Sequence, residues 1–170
     1  MAYGIEYGSE EFRKKYLQRT ISNQKILEKI NTILVPLNIE FSVNAMIGFP
    51  EETRELIFDT IKFMKQIPCD SITVSIFTPY RGAAMREMAI KKGYLDSNVF
   101  TKHTTSSSIS NMPQLTSKEI DGLFKTFNLY VHFDEKEWKN IEKIEKFEDK
   151  DGRIFNYYSE RFRKEKWNEE

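Results

Sequence analysis

Cysteine, net charge and long apolar runs are all scarce in this chain of 170 residues. Its one cysteine, Cys69, cannot by itself form an internal disulfide, a zinc site or an iron–sulfur site. Acidic and basic residues balance at 26 each, which argues against nucleic acid as a partner. No apolar run approaches the ~20 residues of a membrane span, and no secretory signal pattern opens the chain. We therefore expect a cytoplasmic protein without a membrane partner.

Short apolar stretches alternate with helical patterns in the first half of the chain. Strands are predicted at 2–6, 41–48 and 71–77. Helical apolar spacing follows Ser22, Glu52 and Gly82. This alternation predicts α/β architecture with parallel strands covered by helices, and we expect both faces of the strands to be buried.

The pattern changes after residue 95. A polar loop leads to Thr116, which makes a capping-box pattern with Glu119 and opens an amphipathic helix. Further helices are predicted at 134–153 and 154–167. The chain therefore divides into an α/β part, residues 1–95, and a helical extension, residues 96–170.

Three parallel strands make an incomplete sheet, because a parallel sheet must have its faces covered and its edges protected or closed. We expect the chain to be a piece of a larger α/β barrel or sheet. The strand at 2–6 would then carry an open edge, which predicts self-association of the isolated chain.

Polar residues and glycine follow each predicted strand, at the edge where parallel α/β folds hold their ligands. These segments are 6–9, 48–53 and 78–82. Taken singly, each has an ordinary explanation as a strand-to-helix turn or a loop start. Glu6 fits that explanation least well, because a carboxylate leaving a buried strand needs a partner. Three polar strand ends at one edge indicate a binding site.

These segments resemble three motifs of the radical S-adenosylmethionine enzymes. The first, GIEYGSEEFRKKYLQRT at 4–20, is similar to their G-hydrophobic-E-S-G-S…R segment. The second, NAMIGFPEETRELIFDTIKF at 44–63, resembles their fifth-strand motif G-F-P-G-E-T. The third, SITVSIFTPYRGAAMREMAIKKGYL at 71–95, resembles their sixth-strand segment T-P-Y-P-G-T-P-L-Y. The three occur in the family's order.

The helical extension adds a narrower resemblance. MPQLTSKEIDGLFKTFNLYV at 112–131 is similar to the extension of the subgroup that also carries a cobalamin-binding domain. The resemblance therefore leaves cobalamin dependence open, together with the substrate and the reaction type. Because some enzymes of the resembled family modify transfer RNA, nucleic acid stays open as a substrate of the intact protein.

The resemblance implies the C-terminal half of a partial (β/α)6 TIM-like barrel, its strands four to six, followed by an α-helical extension. Intact members use a [4Fe-4S] cluster to reduce S-adenosylmethionine to a 5′-deoxyadenosyl radical. Their cluster motif Cys-x-x-x-Cys-x-x-Cys is absent here. We therefore expect Met1 to be an internal methionine of a longer frame, or the chain to be half of a split protein. Alone it should bind neither cofactor stably and should not catalyse.

The resemblance also assigns roles to individual residues. Glu6 and Ser9 would line the ribose or amino-acid side of S-adenosylmethionine, and Arg19 would pair with its carboxylate. Asn44 would reach the ribose or the methionyl portion. An adenine shelf would be formed by Ile47, Gly48, Phe49, Pro50, Phe77, Thr78 and Pro79. No catalytic residue and no metal ligand is assigned.

Four positions depart from the family pattern. Tyr7 stands where serine is usual, Glu51 where glycine is usual, Arg81 where proline is usual and Ala83 where threonine is usual. Of these, Glu51 could narrow the approach to the adenine.

Two hypotheses follow from the sequence. In the first, the chain is the cofactor-cradling part of an enzyme whose missing N-terminal half lies in the same reading frame or on a partner chain. In the second, it is a half-barrel interaction module without redox chemistry, which dimerises through the edge at 2–6 or complements a partner chain.

Overall fold

The computed structural model describes residues 1–101 and 103–167, which contain three strands and seven α-helices. In chain order these are β1 (Ala2–Glu6), α1 (Glu10–Tyr16), α2 (Asn23–Lys29), β2 (Ser42–Ile47), α3 (Arg54–Met64), β3 (Ser71–Ile76), α4 (Ala84–Lys91), α5 (Ser117–His132), α6 (Trp138–Glu145) and α7 (Arg153–Trp167). A π-helical turn, Ile30–Leu34, extends α2, and a 3-10 turn, Glu135–Glu137, precedes α6. The predicted α/β fold class is confirmed. Within the described ranges, no helix is both long and apolar enough to cross a membrane.

The helix predicted at 134–153 is wrong in its extent, since α6 ends at Glu145. The reason is the start of α7. The Asp149 carboxylate accepts the backbone N–H groups of Ile154 and Phe155 at 3.1 and 2.8 Å. A carboxylate in this position caps a new helix instead of continuing the old one. The capping box of Thr116 and Glu119 at the start of α5 is present as predicted.

The three strands form a parallel sheet in the order β1-β2-β3. Strands β2 and β3 pair in register from Ser42 opposite Ser71 to Ile47 opposite Ile76. The β1–β2 pairing shifts by one residue between Gly4 and Glu6. All three strands therefore end at one edge, which brings the polar segments that follow them together.

Only one face of the sheet is buried. Val43, Ala45 and Ile47 of β2 are fully buried beneath α3 and α5. On the opposite face Asn44 is half-buried and Thr73 is exposed. The expectation that both faces are buried is therefore wrong. The physical reason is visible in the strand SVNAMI, which alternates polar and apolar residues in the manner of a sheet with one covered face.

The two outer edges of the sheet differ. At β3 the Asn128 amide donates to the Ile72 carbonyl at 3.2 Å, and the Ile76 N–H donates to the Thr104 carbonyl at 2.7 Å. The helical extension therefore covers that edge. On β1 the Ser42 N–H donates to the Met1 carbonyl, so alternate residues such as Gly4 turn their backbone groups outward.

The outer edge of β1 lies beside an apolar groove. No strand in the described ranges pairs with this side of β1, and Arg19 donates to the Gly4 carbonyl at 2.6 Å. The groove holds about 350 Å³ between β1 and α2. Its apolar lining consists of Tyr3, Ile5, Ile21, Ile26, Ile30, Ile33 and Leu34. Backbone groups without a strand partner, beside apolar surface, make this edge suited to accept a further strand.

A buried carboxylate joins the helical extension to the α/β part. Glu145 on α6 is 3% exposed and forms a two-pronged ion pair with Arg54 at the start of α3. The Tyr130 hydroxyl donates to the same carboxylate at 2.7 Å. At Gly122 of α5 a Cβ would overlap the Glu145 carbonyl, so glycine permits the close approach of the two helices.

Replacing Glu145 by alanine should lower the free energy of unfolding by about 3 kcal/mol, because Arg54 and the buried Tyr130 hydroxyl lose their partner. The matched control is Glu142→Ala on the same helix, whose side chain is 40% exposed and pairs with Lys146. This control should cost less than about 1 kcal/mol. Urea denaturation followed by circular dichroism measures both, and equal losses would contradict the assigned role of Glu145.

Candidate functional site

The carboxyl edge of the sheet carries a compact aromatic cluster. Tyr7 follows β1, Phe49 follows β2 and Phe77 follows β3. Tyr7 stacks on Phe12 of α1 with ring centroids 4.1 Å apart, and Phe49 lies 5.0 Å from Phe77. Tyr7, Phe12 and Phe49 are buried, whereas Phe77 is half-buried. The cluster therefore fixes the three strand ends relative to one another and presents Phe77 at its surface.

Glu52 lies within this edge and is fully buried. Its Oε2 atom accepts the backbone N–H of Phe49 at 3.0 Å and also that of Gly48. Burial raises the pKa of Glu52 to about 8. The carboxyl group thus takes up two N–H groups of the turn after β2, and those two groups cannot serve an anionic ligand.

Burial and the Glu52 carboxyl raise the pKa of the Tyr7 hydroxyl. Within the described part of the chain, neither Tyr7 Oη nor Glu52 Oε1 makes a hydrogen bond of ordinary geometry. Two polar atoms without partners are therefore buried at the centre of the site.

The structure brings Glu6 and Arg19 together. An Nη2 atom of Arg19 lies 3.7 Å from Glu6 Oε1, and its Nη1 donates to the Gly4 carbonyl. The Glu6 carboxylate lies against Gly4, where a Cβ would overlap it. Glu6 thus has the partner that a carboxylate on a strand requires, and Arg19 already has two acceptors. Their assignment to S-adenosylmethionine stays a prediction.

Ser9 and Gly8 have clear local roles. Ser9 is the N-cap of α1 and its hydroxyl accepts the Phe12 N–H at 3.3 Å. Gly8 packs against α3, where a Cβ would lie 2.5 Å from Thr60 Cα, and its N–H donates to the Thr60 hydroxyl at 2.9 Å. The glycine after β1 therefore allows close packing of α3. From the sequence alone, the same glycine could equally have indicated close approach of a ligand.

Asn44 lies on the uncovered face of the sheet, paired in register with Gly4 on one side and Thr73 on the other. It is half-buried, and no hydrogen bond of its amide is found within residues 1–101 and 103–167. Its amide is therefore accessible from the uncovered face of the sheet, and its assignment to the cofactor stays a prediction.

The predicted shelf divides into surface and support. Ile47 is fully buried in the core, and its carbonyl accepts the Phe77 N–H at 2.7 Å. Phe49 and Pro50 are also buried. Phe77 and Thr78 are half-buried and remain accessible, with the Thr78 hydroxyl donating to the Ile76 carbonyl at 3.3 Å. Phe77 therefore presents the accessible aromatic surface, and the buried residues Ile47, Phe49 and Pro50 lie beneath it.

Two further shelf positions are fixed by backbone geometry. Gly48 has φ +87°, which favours glycine, and its N–H belongs to Glu52. The Pro79 carbonyl accepts an N–H from the buried Arg86 at 2.8 Å. Arg86 also binds the carbonyls of Ser97 and Val99, each at 3.0 Å, so it braces the loop that follows β3.

Glu51 explains one departure from the family pattern. Its φ is +70°, which accounts for the usual glycine at this position. Its carboxylate forms an ion pair with Lys92 at 2.9 Å and accepts the Tyr94 hydroxyl at 3.0 Å. The hydrogen bond from Lys92 holds the pKa of Glu51 below its usual range. The side chain is thus drawn toward the end of α4.

Sequence reasoning did not single out Glu52 or Tyr7 as a pair. The pattern offered a limited signal, namely a second glutamate directly before the helix N-cap Thr53. Burial of that glutamate depends on the packing of β1 against β2, which no local spacing reveals.

The chain's donor set does not fit an iron–sulfur cluster. Cys69 is buried next to the start of β3, at the opposite edge from the candidate site. Among the described residues, no group of three or more His, Cys, Asp or Glu side chains is arranged to hold a metal ion.

Comparison with known proteins gives three similarities, whereas no protein-family model matches the chain. An uncharacterised methyltransferase of Pyrococcus horikoshii is 30% identical over 135 residues, which is 77% of this chain and 28% of that protein. A tRNA-2-methylthio-N(6)-dimethylallyladenosine synthase of Thermosipho melanesiensis is 28% identical over 133 residues, covering 75% of this chain and 29% of the relative. The synthase of the same name from Halalkalibacterium halodurans is 27% identical over 86 residues, which is 49% of this chain and 16% of that protein.

These similarities support the radical S-adenosylmethionine superfamily. They give no support to the narrower subgroup with a cobalamin-binding domain. The matched part of the chain spans less than a third of each relative.

The local roles of Gly8 and Ser9 can be tested by substitution. Gly8→Ala should lower the free energy of unfolding by about 3 kcal/mol, because the new methyl group meets the backbone of α3. Ser9→Ala should cost about 1 kcal/mol, the usual loss of a helix cap. Thermal and urea unfolding of both variants measure this. A Gly8→Ala variant as stable as the parent would show that this contact between β1 and α3 is not tight.

Proposed function

We propose that this chain forms part of the S-adenosylmethionine-binding barrel of a radical S-adenosylmethionine enzyme. The observation that carries the proposal is the carboxyl edge, where three family-like strand ends meet. The uncovered face offers the Asn44 amide, and Phe77 offers an aromatic surface at the end of β3. An amide on the uncovered face and an aromatic ring at the end of the neighbouring strand together suit a ligand with both a polar ribose and a flat purine.

The cluster would be bound outside the described residues, since they offer no set of thiolates. When bound, the cluster and S-adenosylmethionine supply the radical chemistry. The residues of this chain would orient the nucleoside and limit its movement. The outer edge of β1, with its outward backbone groups and apolar groove, supports pairing with a partner that carries the remaining barrel strands.

For the reaction we propose transfer of a methyl or methylthio group, on the basis of the relatives' names. A tRNA adenosine is the substrate class suggested by the two synthases. Cobalamin-dependent methyl transfer is a narrower version of this proposal and rests on the resemblance of residues 112–131 alone.

The second candidate is an interaction module without catalysis. The observation that favours it is again the β1 edge, which could pair with the same edge of a second copy. Under this alternative the chain forms a dimer of fixed stoichiometry that Ile33→Lys, in the groove beside β1, dissociates. Ultracentrifugation measures this, with the exposed Tyr157→Lys as control.

The isolated chain should bind no stoichiometric iron after anaerobic reconstitution, because one buried thiol cannot hold a cluster. Colorimetric iron analysis and visible absorbance measure this. A ratio near four irons per chain, the content of one cluster, would overturn the assignment of the ligands to another segment or chain.

Assembly with a chain carrying the Cys-x-x-x-Cys-x-x-Cys motif from the same source DNA should produce a cluster and S-adenosylmethionine binding. In that assembly Asn44→Ala and Phe77→Ala should each weaken binding about tenfold, the usual effect of losing one good contact. Tyr157→Ala, an exposed aromatic on α7, is the control for Phe77. Calorimetry gives the dissociation constants. Unchanged binding in both site variants would contradict the proposed site.

A further inference from the structure

Tyr7 and Glu52 come from different segments of the chain and meet beneath the turn that follows β2. Both side chains are 0% exposed. Their surroundings are aromatic, since Tyr7 contacts the rings of Phe12 and Phe49. Phe49 joins the two groups, since its N–H donates to Glu52 Oε2 at 3.0 Å and its ring centroid lies 5.8 Å from that of Tyr7. A buried carboxyl group and a buried phenol that share an apolar site must be considered together.

The hydrogen bonds of Glu52 determine where a proton can lie. Its Oε2 accepts from Gly48 and Phe49, so that atom carries no hydrogen toward them. A proton on the carboxyl group therefore lies on Oε1, the atom whose hydrogen-bonding capacity is otherwise unused within the described residues. Tyr7 Oη is a second buried oxygen without a hydrogen-bond partner at this edge, on a ring that packs against Phe49.

We propose that Glu52 is a neutral carboxylic acid at physiological pH, that Tyr7 is its partner, and that the pair positions the Gly48–Phe49–Pro50 turn. Glu52 would hold the turn through Oε2 and face the Tyr7 hydroxyl through Oε1. The identity of residue 7 matters here, because the serine usual in the resembled motif has no ring to pack against Phe12 and Phe49. The pair would thereby couple the end of β1 to the turn after β2.

Few other charges oppose or support this state. Asp59 on α3 acts on Tyr7 and raises its pKa further. Arg13 on α1 is fully buried, and its guanidinium donates to the backbone carbonyls of Tyr7 and Gly8. No basic side chain of the described residues bonds to the Glu52 carboxyl, and burial dominates its pKa shift to about 8.

The inference about the turn stands on the chain itself. Its relevance to a nucleoside ligand rests on the proposed function, which places the adenine beside this turn. Glu52 and Tyr7 are positioning residues in that role, because they act through Gly48 and Phe49.

The direct test is nuclear magnetic resonance of the whole chain with carbon-13 at the glutamate carboxyl groups. Glu52 should titrate several pH units above an exposed glutamate such as Glu55. Tyr7→Phe keeps the ring and removes the hydroxyl that stabilises the ionised form, so it should raise the Glu52 midpoint by about one pH unit. A Glu52 midpoint near the ordinary value of about 4.3, or one unmoved by Tyr7→Phe, would overturn the pair.

Amide hydrogen exchange tests the positioning role. Glu52→Ala should accelerate exchange at Gly48 and Phe49 at least tenfold, whereas Glu52→Gln should preserve protection, because its amide oxygen still accepts both N–H groups. Glu55→Ala and Glu55→Gln are the matched controls, because Glu55 lies three residues after Glu52 and its side chain is exposed. Failure of Glu52→Gln to preserve protection would reject the neutral acid.

Stability gives an independent readout with a defined sign. A raised folded-state pKa means that the folded chain binds more protons than the unfolded chain between about pH 4.3 and 8. As the pH rises through that window, the free energy of unfolding of the parent should therefore fall relative to that of Glu52→Gln. The difference between the two proteins should become constant above about pH 8. A difference that is constant across the window would contradict the proposal. These measurements need no cofactor. If the assembled enzyme does not bind S-adenosylmethionine, the proposed function is rejected, whereas the inference about Glu52 and Tyr7 is unaffected.

Discussion

The architecture depends on one constraint, which is that a parallel sheet of three strands has a single covered face. Residues such as Val43 and Ile47 pack beneath α3 and α5 and supply the core. The opposite face is polar enough to remain half-exposed. Because the strands are parallel, their ends must lie together at one edge, and the core on the covered face holds that edge in place.

Buried polar groups then shape the edge. Glu52 holds the turn after β2, Arg13 binds the carbonyls that follow β1, and Arg86 binds the segment that follows β3. Each strand end is thus fixed by a side chain that faces inward to the protein. This leaves Phe77 and Asn44 as accessible groups, and a ligand here would meet turns whose backbone is already held in place. Such preorganisation reduces the ordering cost of binding.

Much of the fold could be predicted from the sequence because its signals are local. The three strands, the capping box at Thr116 and the incomplete sheet follow from residue type and spacing. The alternation in SVNAMI is a local signal for one covered face, and the expectation drawn from parallel strands in general did not take it into account. The end of α6 was missed because it depends on where the Asp149 carboxylate points.

The site was predictable to a smaller extent. Motif resemblance identified the strand ends, and the structure places them at one edge. The motif resemblance could not distinguish accessible residues from buried ones that hold the edge in place, since burial of Ile47 and Phe49 follows from packing between distant segments. The Glu52–Tyr7 contact is of the same kind. Charged residues are expected at surfaces, so a buried glutamate is visible only once the tertiary structure is known.

Under the proposed function, β1 accepts the remaining strands of a barrel, whereas β3 is already covered by this chain. Amide hydrogen exchange, measured on the chain alone and in assembly with a cluster-bearing partner, distinguishes the two edges. The Gly4 N–H should exchange rapidly in the isolated chain and at least about a hundredfold more slowly in the assembly, with Ile76 protected in both. Unchanged exchange at Gly4 in an assembly that binds the cluster would contradict the claim.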